Sequence, residues 1–135
     1  MTGFLRLYAI ALPILLVVDG LWLGLVAKGF YRRELGPLLL DSFRLGPAAL
    51  FYLLYAGGLV VLAIEPGLSR GNVLRAAFLG GVVGLVAYAA YDLTNYATLR
   101  GFTPRLVAVD LVWGTLMSAG VAGAAAALAR ALRWG

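Results

Sequence analysis

A chain of 135 residues with 63% hydrophobic content and a mean hydropathy of +0.95 has room for one domain and too little polar surface to face water, so its solvent is lipid. Its formal charge of +5 is carried at the ends of apolar stretches, where lipid phosphates are the partners rather than nucleic acid. With no Cys and no His, disulfides, thiolate nucleophiles, His acid–base chemistry, most zinc sites and His-ligated haem are excluded, and no cofactor or metal is expected.

A helix crossing the ~30 Å hydrocarbon layer needs about 20 mostly apolar residues. Four stretches meet that length. The first, about 4–27, carries Arg6 at its edge and Asp19 inside. It is longer than a signal-peptide core, holds an aspartate and lacks a convincing small-residue cleavage site, so it reads as a retained helix rather than a cleaved leader. The second, 45–64, is free of charge, opens at Gly46 and Pro47, and is expected to stop at Glu65, Pro66 and Gly67. The third, 74–99, carries Asp92. The fourth, 106–132, follows Thr103 and Pro104 and carries Asp110. The fold class is therefore all-α: one transmembrane domain over 1–135, a four-helix bundle. Between the first two stretches, where Leu-Gly-Pro occurs at 35–37 and again at 45–47, a short interfacial helix over about 37–44 and a plain amphipathic connector both fit, with Phe30 and Tyr31 in the aromatic belt.

Lipid tails are as apolar as leucine, so helices in a bilayer associate through close backbone contact, which favours small residues four apart. Gly20 with Gly24, Gly80 with Gly84, and the run Gly114, Ser118, Ala122 and Ala126 have that spacing. Packing within the chain is the expected use; a homodimer is the other. Lysines and arginines divide six (Lys28, Arg32, Arg33, Arg44, Arg100, Arg105) to five (Arg6, Arg70, Arg75, Arg130, Arg133) between the two faces, too even a split to set orientation.

Because the helices alternate direction, Asp19, Asp92 and Asp110 fall in the same half of the membrane, at depths of ~7 to 12 Å by helix rise. An ionised carboxylate there costs several kcal/mol (~2.5 or more) unless it is paired, hydrated or protonated. Asp19 and Trp22 are three residues apart, as are Asp110 and Trp113, so each carboxylate shares a helix face with an indole. Tyr88, Asp92 and Asn95 share a face of the third helix, with Tyr91 and Thr94 nearby. Arg100 and Arg105, on the adjoining loop, are placed to reach the acids by snorkelling. Asp19 followed by Lys28-Gly29-Phe30 also echoes Asp92 followed by Arg100-Gly101-Phe102, which fits either a duplicated two-helix unit or convergent interface chemistry.

The strings Val18-Asp19-Gly20-Leu21-Trp22-Leu23-Gly24, Phe51-Tyr52-Leu53-Leu54-Tyr55, Ala87-Tyr88 followed by Tyr91-Asp92-Leu93-Thr94-Asn95, and Val109-Asp110-Leu111-Val112-Trp113-Gly114-Thr115 resemble the bacterial membrane family called Domain of Unknown Function 2177. The resemblance covers almost the whole chain. It implies a small multi-pass protein of the bacterial inner membrane with four helices, and supplies no activity.

Three functions fit these residues. In the first, Asp19, Trp22, Tyr88, Asp92, Asn95, Asp110 and Trp113, supported by Tyr91, Thr94, Arg100 and Arg105, bind or translocate a small cation, a proton or a lipid-like amphiphile. In the second, an enzyme or accessory subunit acts on membrane lipids, with paired carboxylates as acid and base or Asp and Asn oxygens around Mg²⁺. No HExxH, phosphate-cradling glycine loop or nucleophile with a base is present to favour it. In the third, the polar residues only fix helix register in a membrane scaffold.

Overall fold

The computed structural model describes residues 2–39 and 44–134. Four helical spans, Gly3–Val26, Leu45–Ser69, Val73–Thr98 and Pro104–Ala131, are long and apolar enough to cross a membrane, and the fold is an all-α bundle. Helix α1 (Thr2–Leu21) runs on through a π-helical turn, Trp22–Val26, into the short α2 (Lys28–Leu35). Helix α3 (Leu45–Leu59) likewise passes through a π turn, Val60–Ile64, into α4 (Glu65–Ser69). Helices α5 (Val73–Thr98) and α6 (Pro104–Ala131) are uninterrupted.

Local chemistry sets these boundaries. The Asn72 side chain accepts a hydrogen bond from Arg75 N at 3.1 Å and caps α5. Thr103 does the same for Leu106 N at 3.1 Å, with Pro104 in the first turn of α6, where proline's missing N–H costs nothing. Helix α2 has Arg32 and Arg33 in its last turn and ends at Gly36, whose φ of 54° is one an L side chain resists, followed by Pro37.

Two boundary expectations change. The second span does not stop at Glu65–Pro66–Gly67: it continues to Ser69, because the wider π turn, in which Glu65 N bonds back to Val60 O, comes just before Pro66 and absorbs its missing N–H. Of the interfacial helix expected over about 37–44, residues 40–43 lie outside the described residues. Gly36–Leu38 form one 3₁₀ turn, and the short helix of this connection is α2, earlier in the chain.

Packing is tightest between α5 and α6. A Cβ at Gly80 would sit 2.6 Å from both Ser118 O and Ala122 Cβ, and one at Gly84 would sit 2.6 Å from Ser118 Oγ, so the two backbones touch. Ser118, fully buried, shares a 2.5 Å hydrogen bond with the Tyr55 hydroxyl of α3. Leu15, Leu59, Val60, Ile64 and Val121 fill the centre of the bundle with essentially no exposure. Leu25, Leu45, Leu74 and Phe78 point outward, an apolar surface that lipid covers. The Gly20 and Gly24 pair is not part of this packing: nothing lies within 4 Å of a Cβ built at either position. What faces them is a cavity.

Candidate functional site

Asp19 is buried on α1 and has two donors from other helices. The Trp113 indole N–H of α6 donates to Oδ1 at 2.9 Å, and the Tyr52 hydroxyl of α3 donates to Oδ2. The partner of Asp19 is thus the tryptophan of the other Asp-x-x-Trp segment, not Trp22. The converse link is relayed: Trp22 Nε1 donates to the Tyr31 hydroxyl at 3.3 Å, and Tyr31 donates to Asp110 Oδ1 at 2.5 Å. The two indoles stack face to face, centroids 4.3 Å apart and planes 7° from parallel. The three-residue spacing puts each acid and indole on one helix face, as expected, but those faces point at each other, so the short bonds cross between helices. Burial and the bond to Asp110 both raise the pKa of the Tyr31 hydroxyl above the ordinary phenol range, so it remains a donor at neutral pH.

Asp92 differs from the other two. It has no solvent exposure, and among the described residues neither carboxyl oxygen has a hydrogen-bond partner. The carboxyl of Asp110 adjoins it, placed so that the two acids can share one proton. Both acids border a cavity of about 730 Å³. One wall is the end of α1 and its π turn, with Gly20, Leu23 and Gly24; a second is α2, with Lys28, Tyr31, Arg32 and Leu35; the third is α5, α6 and the turn between them, with Tyr91, Leu106 and Phe102. A smaller cavity of about 280 Å³, lined by Phe51, Ala87, Tyr88 and Tyr91, also ends on Asp110.

The remaining residues divide in the same way. Tyr91, edge-on to Phe102 at 5.9 Å between centroids, borders both cavities. Tyr88 lies over Gly114, so close that a Cβ there would enter the ring, and it lines the smaller cavity with Asp110. Asn95 is half-buried and does not reach the Asp92 carboxyl. Thr94 is exposed and returns its hydroxyl to the carbonyls of Ala90 and Tyr91. The two arginines do not reach the acids. Arg100 is exposed, and Arg105 lies 4.0 Å from Glu34, which also accepts from the Thr103 hydroxyl. A guanidinium keeps its hydration at the interface and gives that up by entering the hydrocarbon layer, so the carboxylate nearest the surface takes it. With its side chain 76% exposed, the Arg105 end of this pair is solvated, and Arg105→Ala is expected to shift stability by less than ~0.5 kcal/mol in a thermal melt in detergent.

Tyr52, Tyr31 as a relay, and the cavity residues Lys28 and Arg32 were not singled out as site residues by sequence reasoning. A signal for Tyr52 was present: Tyr52 and Tyr55 stand in a stretch without any charge, and a phenol hydroxyl within hydrocarbon must find an acceptor on another helix. Asp19 accepts from Tyr52, and Tyr55 shares a hydrogen bond with Ser118.

No curated protein and no solved structure matches this chain. A family model described as a predicted membrane protein, DUF2177, matches residues 4–127, and on a match of that extent the chain belongs to the DUF2177 family.

Proposed function

We propose that this protein binds a membrane-resident amphiphile in the cavity between α1, α2, α5 and α6, with Asp92 and Asp110 receiving its polar end and Asp19 serving the bundle. One observation carries the reading: a buried carboxyl that no N–H or hydroxyl among the described residues donates to, and whose neighbour is the second acid Asp110, lies in the wall of a cavity large enough for a ligand of several hundred daltons. An unsatisfied buried acid costs stability, so a scaffold gains nothing by keeping it, whereas a site that must take up a polar group needs it unfilled. Asp19 has the opposite character, since both of its oxygens are satisfied by donors from neighbouring helices. The apolar walls, the position of the acids within the spans and the basic side chains of α2 all favour a ligand that partitions into the bilayer. Binding is the first step of a transport cycle, and the setting we infer is a bacterial inner membrane.

Gly24 gives the test. Because nothing lies within 4 Å of its Cβ position and Gly24 lines the cavity, Gly24→Phe puts a ring into the ligand's space. Native mass spectrometry of the wild-type protein, extracted in a mild non-ionic detergent, is expected to show a co-purifying amphiphile. Gly24→Phe is expected to lose it while melting at or above the wild-type temperature, since phenylalanine is a better helix former than glycine by roughly 0.5 kcal/mol. Retention of the same adduct by Gly24→Phe would sink the reading.

A further inference from the structure

The ligand's charge follows from what surrounds the two acids. The titratable and charged groups facing Asp92 and Asp110 are Tyr31, Lys28 and Arg32 from α2, Tyr88 and Tyr91 from α5, and Asp19 from α1. Tyr31 is a donor to Asp110; Asp19 is already bound by Tyr52 and Trp113. Lys28 and Arg32 belong to the cavity wall but are exposed, two and six residues beyond the end of the first span at Val26, in the zone of lipid phosphates. No cation is within salt-bridge distance of either acid among the described residues, whose one such pair is Arg105 with Glu34. Two adjacent buried carboxyls cannot both be ionised without a counter-charge. That counter-charge is a proton or a ligand cation. The aromatic faces of Tyr31, Tyr91 and Phe102 in the larger cavity, and of Phe51 and Tyr88 in the smaller one, supply the walls that a lipophilic ammonium prefers.

Resting on the amphiphile-binding reading above, we propose that the ligand is a monovalent lipophilic cation, and that it enters the Asp92–Asp110 site in exchange for one proton. The balance is simple. The O–H bond of the protonated carboxyl breaks, its proton passes to water, and the ligand's single positive charge takes its place beside the carboxylate; nothing is oxidised or reduced. Asp110 stands at the junction, since both cavities end on it. The body of the ligand lies in either cavity while its cationic end meets the same carboxyl.

The probe pair is tetraphenylphosphonium and tetraphenylborate, equal in shape and opposite in charge, neither of which carries an exchangeable proton. The full chain in maltoside micelles is titrated with each in weakly buffered solution containing a pH dye, and binding is followed by calorimetry. Tetraphenylphosphonium is expected to bind with release of one proton per chain, and its affinity to fall by up to about tenfold for each pH unit of acidification. Tetraphenylborate is expected not to bind. Asp92→Asn and Asp110→Asn are expected to remain helical and monodisperse and to release no proton. Binding of the borate as tightly as the phosphonium, or phosphonium binding without proton release, overturns the cation exchange while leaving an amphiphile site standing. If neither probe binds and no amphiphile co-purifies, both readings fall.

Discussion

Gly84→Val is expected to unfold the bundle or to lower its stability by about 3 kcal/mol, read as the midpoint of reversible denaturation in mixed micelles. A Cβ at Gly84 would lie 2.7 Å from Ser118 Cβ, 2.6 Å from Ser118 Oγ and closer still to the carbonyl of Gly114. Backbone cannot move aside as a flexible side chain can, so α5 and α6 must separate. Separation breaks the van der Waals contact that holds helices together in lipid, where no hydrophobic force acts between them. It also pulls Ser118 from the Tyr55 hydroxyl and lifts Tyr88 off Gly114. The control is Gly20→Ala, whose Cβ meets nothing within 4 Å and which is expected to leave the midpoint unchanged or raise it by up to about 1 kcal/mol. Equal effects from the two substitutions would mean that the contrast between packed and cavity-facing glycines is wrong.

The same contrast marks how far the sequence could be read. Small residues four apart are a necessary condition for close helix approach, and Gly80, Gly84, Gly114, Ser118 and Ala122 meet it. Gly20 and Gly24 meet it equally, and nothing in spacing alone says that their face opens on a cavity instead of a helix. The four spans were legible because hydrocarbon thickness sets helix length directly. The end of the second was not, because a π turn lets the chain pass through Pro66. Three aspartates within apolar segments were conspicuous, and the alternation of helices placed them in one half of the membrane. Their pairing was hidden, since it depends on helix rotation: Asp19 bonds Trp113, Trp22 reaches Asp110 through Tyr31, and Asp92 meets only the carboxyl of Asp110. Arg100 and Arg105 were within reach of the acids by chain length, but solvation decides where a guanidinium rests, and Glu34 at the surface takes Arg105.

Two isosteric-scale changes at neighbouring acids are expected to move stability in opposite directions. Asp19→Leu strands the Tyr52 hydroxyl and the Trp113 indole N–H in an apolar interior; at roughly 1 to 2 kcal/mol for each donor left unpaired, the loss is about 2 to 4 kcal/mol. Asp92→Leu strands no N–H or hydroxyl donor among the described residues, and it removes one of two adjacent buried acids. Relief of that desolvation is expected to raise stability by about 1 to 3 kcal/mol, with the adjoining cavity accommodating the bulkier methyl groups that replace the two oxygens. The stabilised variant is also expected to lose tetraphenylphosphonium binding and the accompanying proton release, the trade between stability and function that marks a residue kept for its ligand. Denaturation midpoints of Asp19→Leu, Asp92→Leu and the wild type, measured in one detergent, read the sign directly. A fall at both positions would make Asp92 another strut of the bundle, like Asp19. A rise at position 92 alone leaves its burial without a structural purpose, and the cavity beside it supplies a functional one.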